Sequence, residues 1–188
     1  MTIELSACSD GELAALALGG RQAAYTELMN RHRAWVYRLA RGHVGDPEDA
    51  LDVTQGTFVA AFAALERYDN RRPFPVWLSR IAINKAHDWN RRKQVRRFFS
   101  FGLPISQATL VPDPAPLQDQ VVGSEIELRD ISRAIATLPA ALKEVLLLRT
   151  VEAKSEAETA EILGISPKAV QTRLHRARDM LAKLFPQS

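Results

Sequence analysis

SEAETAEILGISPKAVQTRLHRARDML, residues 155–181, reads as two helices around a tight turn. Ser155 followed three residues on by Glu158 is a capping-box pattern, in which each side chain satisfies a backbone N–H near the other. The first helix ends at Leu163. Gly164 supplies the turn, Ile165 is an apolar plug, and Ser166 caps a second helix whose first turn holds Pro167. In that helix Val170, Leu174, Ala177 and Leu181 repeat on one face. Lys168, Gln171, Thr172, Arg173, His175, Arg176 and Arg178 take the other faces, and the one acid, Asp179, comes at the far end. This is a helix-turn-helix pattern. Arginine can bind guanine in a forked geometry and Gln171 can pair with adenine in a major groove. Lys168 and the remaining arginines can hold phosphates. A merely solvated helix would share the basic face, but not its coincidence with the turn glycine and the capping serine.

Working outward, the periodicity stays helical nearly everywhere, with no alternating strand and no internal repeat. Ser9 and Asp10 can cap a short helix that runs through Ala17 and stops at Gly19-Gly20. From Arg21 to about Arg41, Tyr25, Leu28, Met29, His32, Trp35, Val36 and Leu39 fall at three- and four-residue spacing. Gly42 to Gly45 is expected to break that helix. Asp46-Pro47-Glu48-Asp49 opens the next, with an apolar stripe of Leu51, Thr54, Phe58, Ala61, Phe62 and Leu65. A loop is expected over Tyr68 to Pro75, then a helix from about Val76 to Lys93 or beyond, ending in a run of five bases from Arg91 to Arg97. Nearer the C-terminus, helices are expected over 125–137 and 139–151.

The middle of the chain differs in kind. Residues 99–125 hold four prolines and no lysine or arginine, with Asp113, Asp119 and Glu125 as their only charges. Proline in this density prevents a long helix. Fully extended, such a tether reaches roughly 90 Å. The expected fold is therefore all-α, two small helical domains over 9–98 and 126–186 joined by a flexible linker over 99–125. Whether the two halves lie together or apart is left open. Each half is net basic, +4 over residues 1–98 and +2 over residues 126–188, which suits phosphate contacts.

Other functions find little support. Cys8 is the only cysteine, so no disulfide framework exists and a reducing, cytoplasmic setting is expected. The N-terminus shows no signal-peptide pattern. His32, His43, His87 and His175 lack metal-ligand spacing, and no Gly-rich phosphate loop or nucleophile motif is present. No enzyme, cofactor or metal site is expected.

Two further stretches carry a resemblance. Asp52-Val53-Thr54-Gln55-Gly56-Thr57-Phe58, and later Phe74-Pro75-Val76-Trp77-Leu78-Ser79-Arg80-Ile81-Ala82-Ile83-Asn84, are similar to region 2 of extracytoplasmic-function (ECF) sigma factors, in the sigma-70 family of RNA polymerase initiation factors. Glu161 to Arg178 resembles sigma region 4. The resemblance implies that Asp49, Asp52 and Gln55 face core RNA polymerase. It implies that Asn84 contacts a base captured from the minus-ten element, at a site that also holds Asp88, with Arg80, Arg91, Arg92, Lys93, Arg96 and Arg97 on the backbone. It gives Lys168, Gln171, Thr172, Arg173, His175 and Arg176 the minus-thirty-five element of promoter DNA. An anti-sigma factor is the further partner it implies. Gly56 departs from the family's usual glutamate and costs about 1 kcal/mol in a helix interior. Thr159 departs from a usual apolar residue, and a hydroxyl at a core position needs a partner. Trp77 and Trp89 are read as core rather than as base-stacking platforms.

Two other readings compete. A stand-alone helix-turn-helix regulator would need no basic, tryptophan-bearing 76–97 segment. A sigma-like decoy that only titrates an anti-sigma factor could lose its DNA-contacting residues, whereas Asn84, Lys168, Arg173 and Arg176 are kept.

Overall fold

Residues 4–100, 131, 134–135 and 137–184 are described by the computed structural model, without the side chains of 97–100. They contain helices and no strand. The first half has α1 (Asp10–Leu18), α2 (Gln22–Val44), α3 (Pro47–Ala63) and α4 (Phe74–Ser100). The second has α5 (Ala140–Leu146), α6 (Glu156–Leu163) and α7 (Pro167–Leu184). Apart from residues 99 and 100, which continue α4, the expected linker lies outside the described residues. Of the helix expected over 125–137, Ile131, Ala134, Ile135 and Thr137 are described, and they are helical.

Capping sets the element ends. Ser9 and Glu12 form a full capping box on α1, and Ser155 and Glu158 form another on α6. Asp46 accepts from the backbone N–H groups of Glu48 and Asp49 at the start of α3. Two expected boundaries shift. Helix α2 passes through Gly42 and ends only at Gly45, whose φ of 80° is the left-handed conformation that glycine adopts without a Cβ penalty. Helix α4 starts at Phe74, because Pro75 fits a first turn as well as it fits a loop.

The expected stripe on α3 is partly wrong. Ala50, Val53, Thr57, Phe58 and Ala61 face the core, while Leu51 is 60% exposed. Small residues draw the helices together here: Ala40 of α2, Ala50 and Val53 of α3 and Ala86 of α4 form one tight seam. Side-chain size therefore misleads about which face turns inward. The buried hydroxyls are satisfied locally, Thr57 donating to the Val53 carbonyl (2.7 Å) and Thr159 to that of Ser155 (2.8 Å).

The two halves share a core. Leu147, Leu148 and Ile162 of the second half join Leu13, Leu39, Phe58, Phe74 and Leu78 of the first. Separate small clusters hold the second half together, Leu138, Leu146 and Ala177 in one, Val145, Ala160 and Val170 in the other. Trp77 packs among Tyr68 and Phe74 at the core edge. Trp89 borders the small-residue seam, half-buried. Helix α5 does not continue regularly to Val151: it passes into a π-wound turn over Leu147–Val151. No described helix is long and apolar enough to cross a membrane.

Candidate nucleic-acid interface

Helix α3 carries the acidic face. Asp52 and Gln55 are exposed and Asp49 half-buried. Asp49 and Asp52 line a cleft between α3 and α4, together with Gly56, Lys85, Asp88 and Arg92. Gln55 lines a different, apolar groove between α2 and α3, with Met29, Leu51, Phe58, Val59 and Phe62. The three expected polymerase contacts thus lie along a crest of α3 between a charged cleft and an apolar groove.

The expected minus-ten residues lie along α4, and most are already engaged. Lys93 Nζ sits 2.8 Å from Asp49 Oδ2 and over the Trp89 ring, 4.5 Å from its centroid. Arg96 stands over the same ring at 5.9 Å. Arg91 pairs with Asp88 at 2.9 Å, two largely exposed groups whose pairing contributes little. Arg92 and Asn84 are exposed. Arg80 turns elsewhere: its guanidinium donates to the carbonyls of Ile162 (3.2 Å) and Glu161, at the C-terminal end of α6. The Arg97 side chain lies outside the described residues. Lys85, one residue past Asn84, lines the cleft and was not among the expected bases. Its place on the outward side of the helix was the available signal.

In the second half the expected helix-turn-helix forms. Gly164 takes a left-handed conformation (φ 64°), and the Ser166 hydroxyl accepts from the Ala169 N–H at 3.2 Å. Val170 and Ala177 are buried, and Leu174 and Leu181 half-buried. That leaves Lys168, Gln171, Thr172, His175 and Arg176 exposed and Arg173 half-buried. Gln171 Nε2 donates to Glu156 Oε2 of α6 at 2.9 Å. Asp179 lies 3.4 Å from His175 Nε2.

A polar cluster escaped the sequence reading altogether. It lies where the halves meet. His43 at the end of α2 is buried, and its Nε2 has no hydrogen-bond partner. Burial, with Lys143 and His87 nearby, pushes its pKa down to about 3, so it is neutral. Lys143 Nζ donates to the His43 carbonyl at 3.4 Å, and burial lowers its pKa as well. Glu144 Oε1 lies 2.7 Å from His87 Nε2, without hydrogen-bond alignment, and burial raises the Glu144 pKa. Arg38 meets Glu152 at 3.3 Å. The signal for this contact was the run Val145-Leu146-Leu147-Leu148. A helix apolar all round is covered on more than one side. Among the described residues no histidine, cysteine or acidic group forms a metal-binding cluster.

Comparison with known proteins bears on both halves. Sigma-70 region 2 matches residues 28–96 and sigma-70 region 4 matches residues 128–181. The RNA polymerase sigma factor CnrH of Cupriavidus metallidurans is 38% identical over 184 residues, covering 94% of each chain. NccH of Alcaligenes xylosoxydans, also an RNA polymerase sigma factor, is 36% identical, covering 95% of this chain and 96% of its own. The ECF sigma factor SigW of Bacillus subtilis is 29% identical, covering 87% and 90%. Among solved structures, CnrH in complex with the cytosolic domain of CnrY superposes with a TM-score of 0.69 at 32% identity, over 93% of this chain and 96% of that one. The sigma factor RpoE of Bartonella quintana, in complex with the anti-sigma factor NepR, shares the fold at a TM-score of 0.65 and 21% identity, over 85% and 95%.

Proposed function

The chain belongs to the sigma-70 family, as an ECF-type transcription initiation factor and not an enzyme, and from that premise we propose how its residues divide the work of binding core RNA polymerase and selecting a promoter. The crest of α3 docks on polymerase. Asp49, Asp52 and Gln55 supply charge and amide contacts that fix orientation, while the flanking apolar groove supplies buried area. Helix α4 meets the minus-ten element. Drawing a base out of the stack costs a few kcal/mol. The exposed Asn84 amide can repay part of that by bonding the base edge, with Arg80, Arg91, Arg92, Lys93, Arg96 and Arg97 holding backbone phosphates and Asp88 beside them. Helix α7 enters the major groove of the minus-thirty-five element with Lys168, Gln171, Thr172, Arg173, His175 and Arg176. An anti-sigma factor holds the chain inactive, and the chain acts in the cytoplasm, where polymerase and chromosome are.

The observation that supports this reading is the pairing of two exposed polar and basic helix faces, on α4 in the first half and α7 in the second, with the acidic crest of α3 beside an apolar groove. A stand-alone regulator needs neither the second DNA face nor the docking crest. The test is transcription by bacterial core RNA polymerase, with and without the purified chain, on a library of randomised promoters. Initiation at a shared two-part motif is the expected result. Core binding without initiation would point to the decoy, and tight operator binding without polymerase to the stand-alone regulator.

A further inference from the structure

A recess of about 590 Å³ lies where α2, α4 and α5 meet, a size typical of small-molecule sites. His43 of α2, His87, Arg91 and Lys93 of α4 and Lys143 of α5 are among its walls, and no described acid lines it. Arg91 and Lys93 belong to the basic run of α4. Lys143 does not: it comes from the other half and is only 6% exposed. A buried ammonium is costly unless it meets opposite charge. Lys143 donates to the His43 carbonyl at 3.4 Å, and burial pushes its pKa down.

Two histidine nitrogens add a second observation. His43 is 2% exposed, and its Nε2 has no hydrogen-bond partner. His87 Nε2 is buried without one as well, Glu144 lying 2.7 Å away but out of line. The two rings stand 6.0 Å apart between centroids. Buried polar atoms left orphaned are rare, and they point to a water or ion that the protein itself does not supply. A metal cation is the poorer guest, because the walls carry positive charge and the described residues hold no cluster able to ligate one. An anion suits them. Ammonium and guanidinium groups only donate hydrogen bonds, and an imidazole can donate from Nε2, directly or through one water. The acids close by are committed elsewhere: Asp49 to Lys93, Asp88 to Arg91, and Glu144 lies against His87 with its pKa raised by burial. An ammonium has three donors and a guanidinium five, so one acid apiece leaves Lys93 and Arg91 able to bind more.

We propose that this recess binds a small phosphate-bearing molecule, its phosphate held between Lys143 of the second half and Lys93 and Arg91 of the first. A nucleic-acid backbone meets exposed bases, whereas Lys143 sits inside, so a compact free anion fits the place better. Because both halves supply the site, its occupant stabilises the folded chain by mass action. The occupant also competes for Arg91 and Lys93 and so opposes minus-ten binding. That consequence rests on their proposed role at the promoter, whereas the site does not.

The experiment is titration calorimetry of the full chain with inorganic phosphate, inorganic pyrophosphate and adenosine diphosphate, at about 0.15 M ionic strength to screen loose surface pairing. Saturable one-to-one binding of at least one of them is expected, with a Kd below roughly 1 mM. The bound anion should raise the melting temperature and move the His43 ring signals in nitrogen NMR. Lys143→Met keeps the length of the side chain without its charge, and it should weaken binding about tenfold, the scale of one hydrogen bond to a charged group. Circular dichroism checks that this variant folds. Lys183→Met, at an exposed position on α7, should leave binding unchanged. Tighter binding of the nucleotide than of pyrophosphate would place its sugar and base in the recess, and equal binding would make free polyphosphate the ligand; either supports the site. No saturable binding of any of the three, or the same loss in Lys183→Met as in Lys143→Met, would overturn it. Failure of the wild type to support initiation, with anion binding intact and lost in Lys143→Met, would overturn the sigma reading and leave the site supported.

Discussion

Single residues set stability, and those proposed to touch DNA carry predictions about the bases a promoter favours. Gly56 sits in the middle of α3, and a Cβ built there meets nothing within 4 Å. Gly56→Ala should therefore stabilise the chain by about 1 kcal/mol through helix propensity, a rise in melting temperature of roughly 2–4 °C for a chain of this size. Thermal denaturation followed by circular dichroism checks it, and an unchanged or lower midpoint would show that the glycine answers to some contact absent from the structure. Gln171 makes a second residue-scale case. A carboxylate only accepts hydrogen bonds, so its contact with Glu156 turns the amide nitrogen toward α6 and leaves the amide oxygen for the base edge that Gln171 is proposed to read. An oxygen accepts from the exocyclic amine of adenine or cytosine. Promoters selected by the wild type should favour an amine at the base Gln171 reads, and Glu156→Ala should relax that preference several-fold, each good contact to a base edge being worth about 1–3 kcal/mol. Selection that gives the same preference in both proteins would exclude the amide's orientation as its source.

Elements were legible where local chemistry alone specifies them. The capping box at Ser155, the turn at Gly164 and the capping serine at Ser166 all formed as their residue types demand. Ser155→Ala should cost about 1 kcal/mol by removing a helix cap, and it should weaken upstream-element binding more than polymerase binding. Melting curves and promoter titrations with matched and scrambled upstream elements test this, and equal losses on both would locate the damage elsewhere. Helix α3 was misread at the level of its face, because Ala50, Val53 and Ala86 gain their place inside from how closely the helices approach. Leu51, larger and more apolar, is left outside. The bend at the end of α5 was likewise hidden, since a π turn depends on what Leu147 meets across the chain and not on its neighbours in sequence.

At the scale of the whole molecule, the division into two helical halves was legible and their union was not. A charge count shows two basic blocks, but nothing in a linear sequence says that Leu147 belongs beside Gly42 or that Arg80 reaches α6. That union also makes the protein sensitive to acid. His43 is held neutral with a pKa of about 3, against 6.5 when exposed. The exposed form binds the extra proton between those values, so the stability His43 allows is fully present above pH 6.5 and is lost as pH falls toward 3. By pH 5.5 the loss is about 1 kcal/mol, the scale of one pH unit. Glu144, whose pKa is raised by burial, acts in the opposite sense as it takes up a proton in the folded form, while Lys143, Arg91 and Lys93 line a cleft beside His43 and add positive charge. Comparing wild type with His43→Asn removes the shared part: between pH 7.5 and 5.5 the wild type should lose more stability, and parallel losses would clear His43 of any role. The shared core has one more consequence. Leu147, Leu148 and Ile162 leave an oily interior when the halves part, so parting carries a positive heat-capacity change. Attraction of that kind fades on cooling. The joint between the halves should therefore loosen in the cold as well as in the heat, and its hold should be firmest at intermediate temperature.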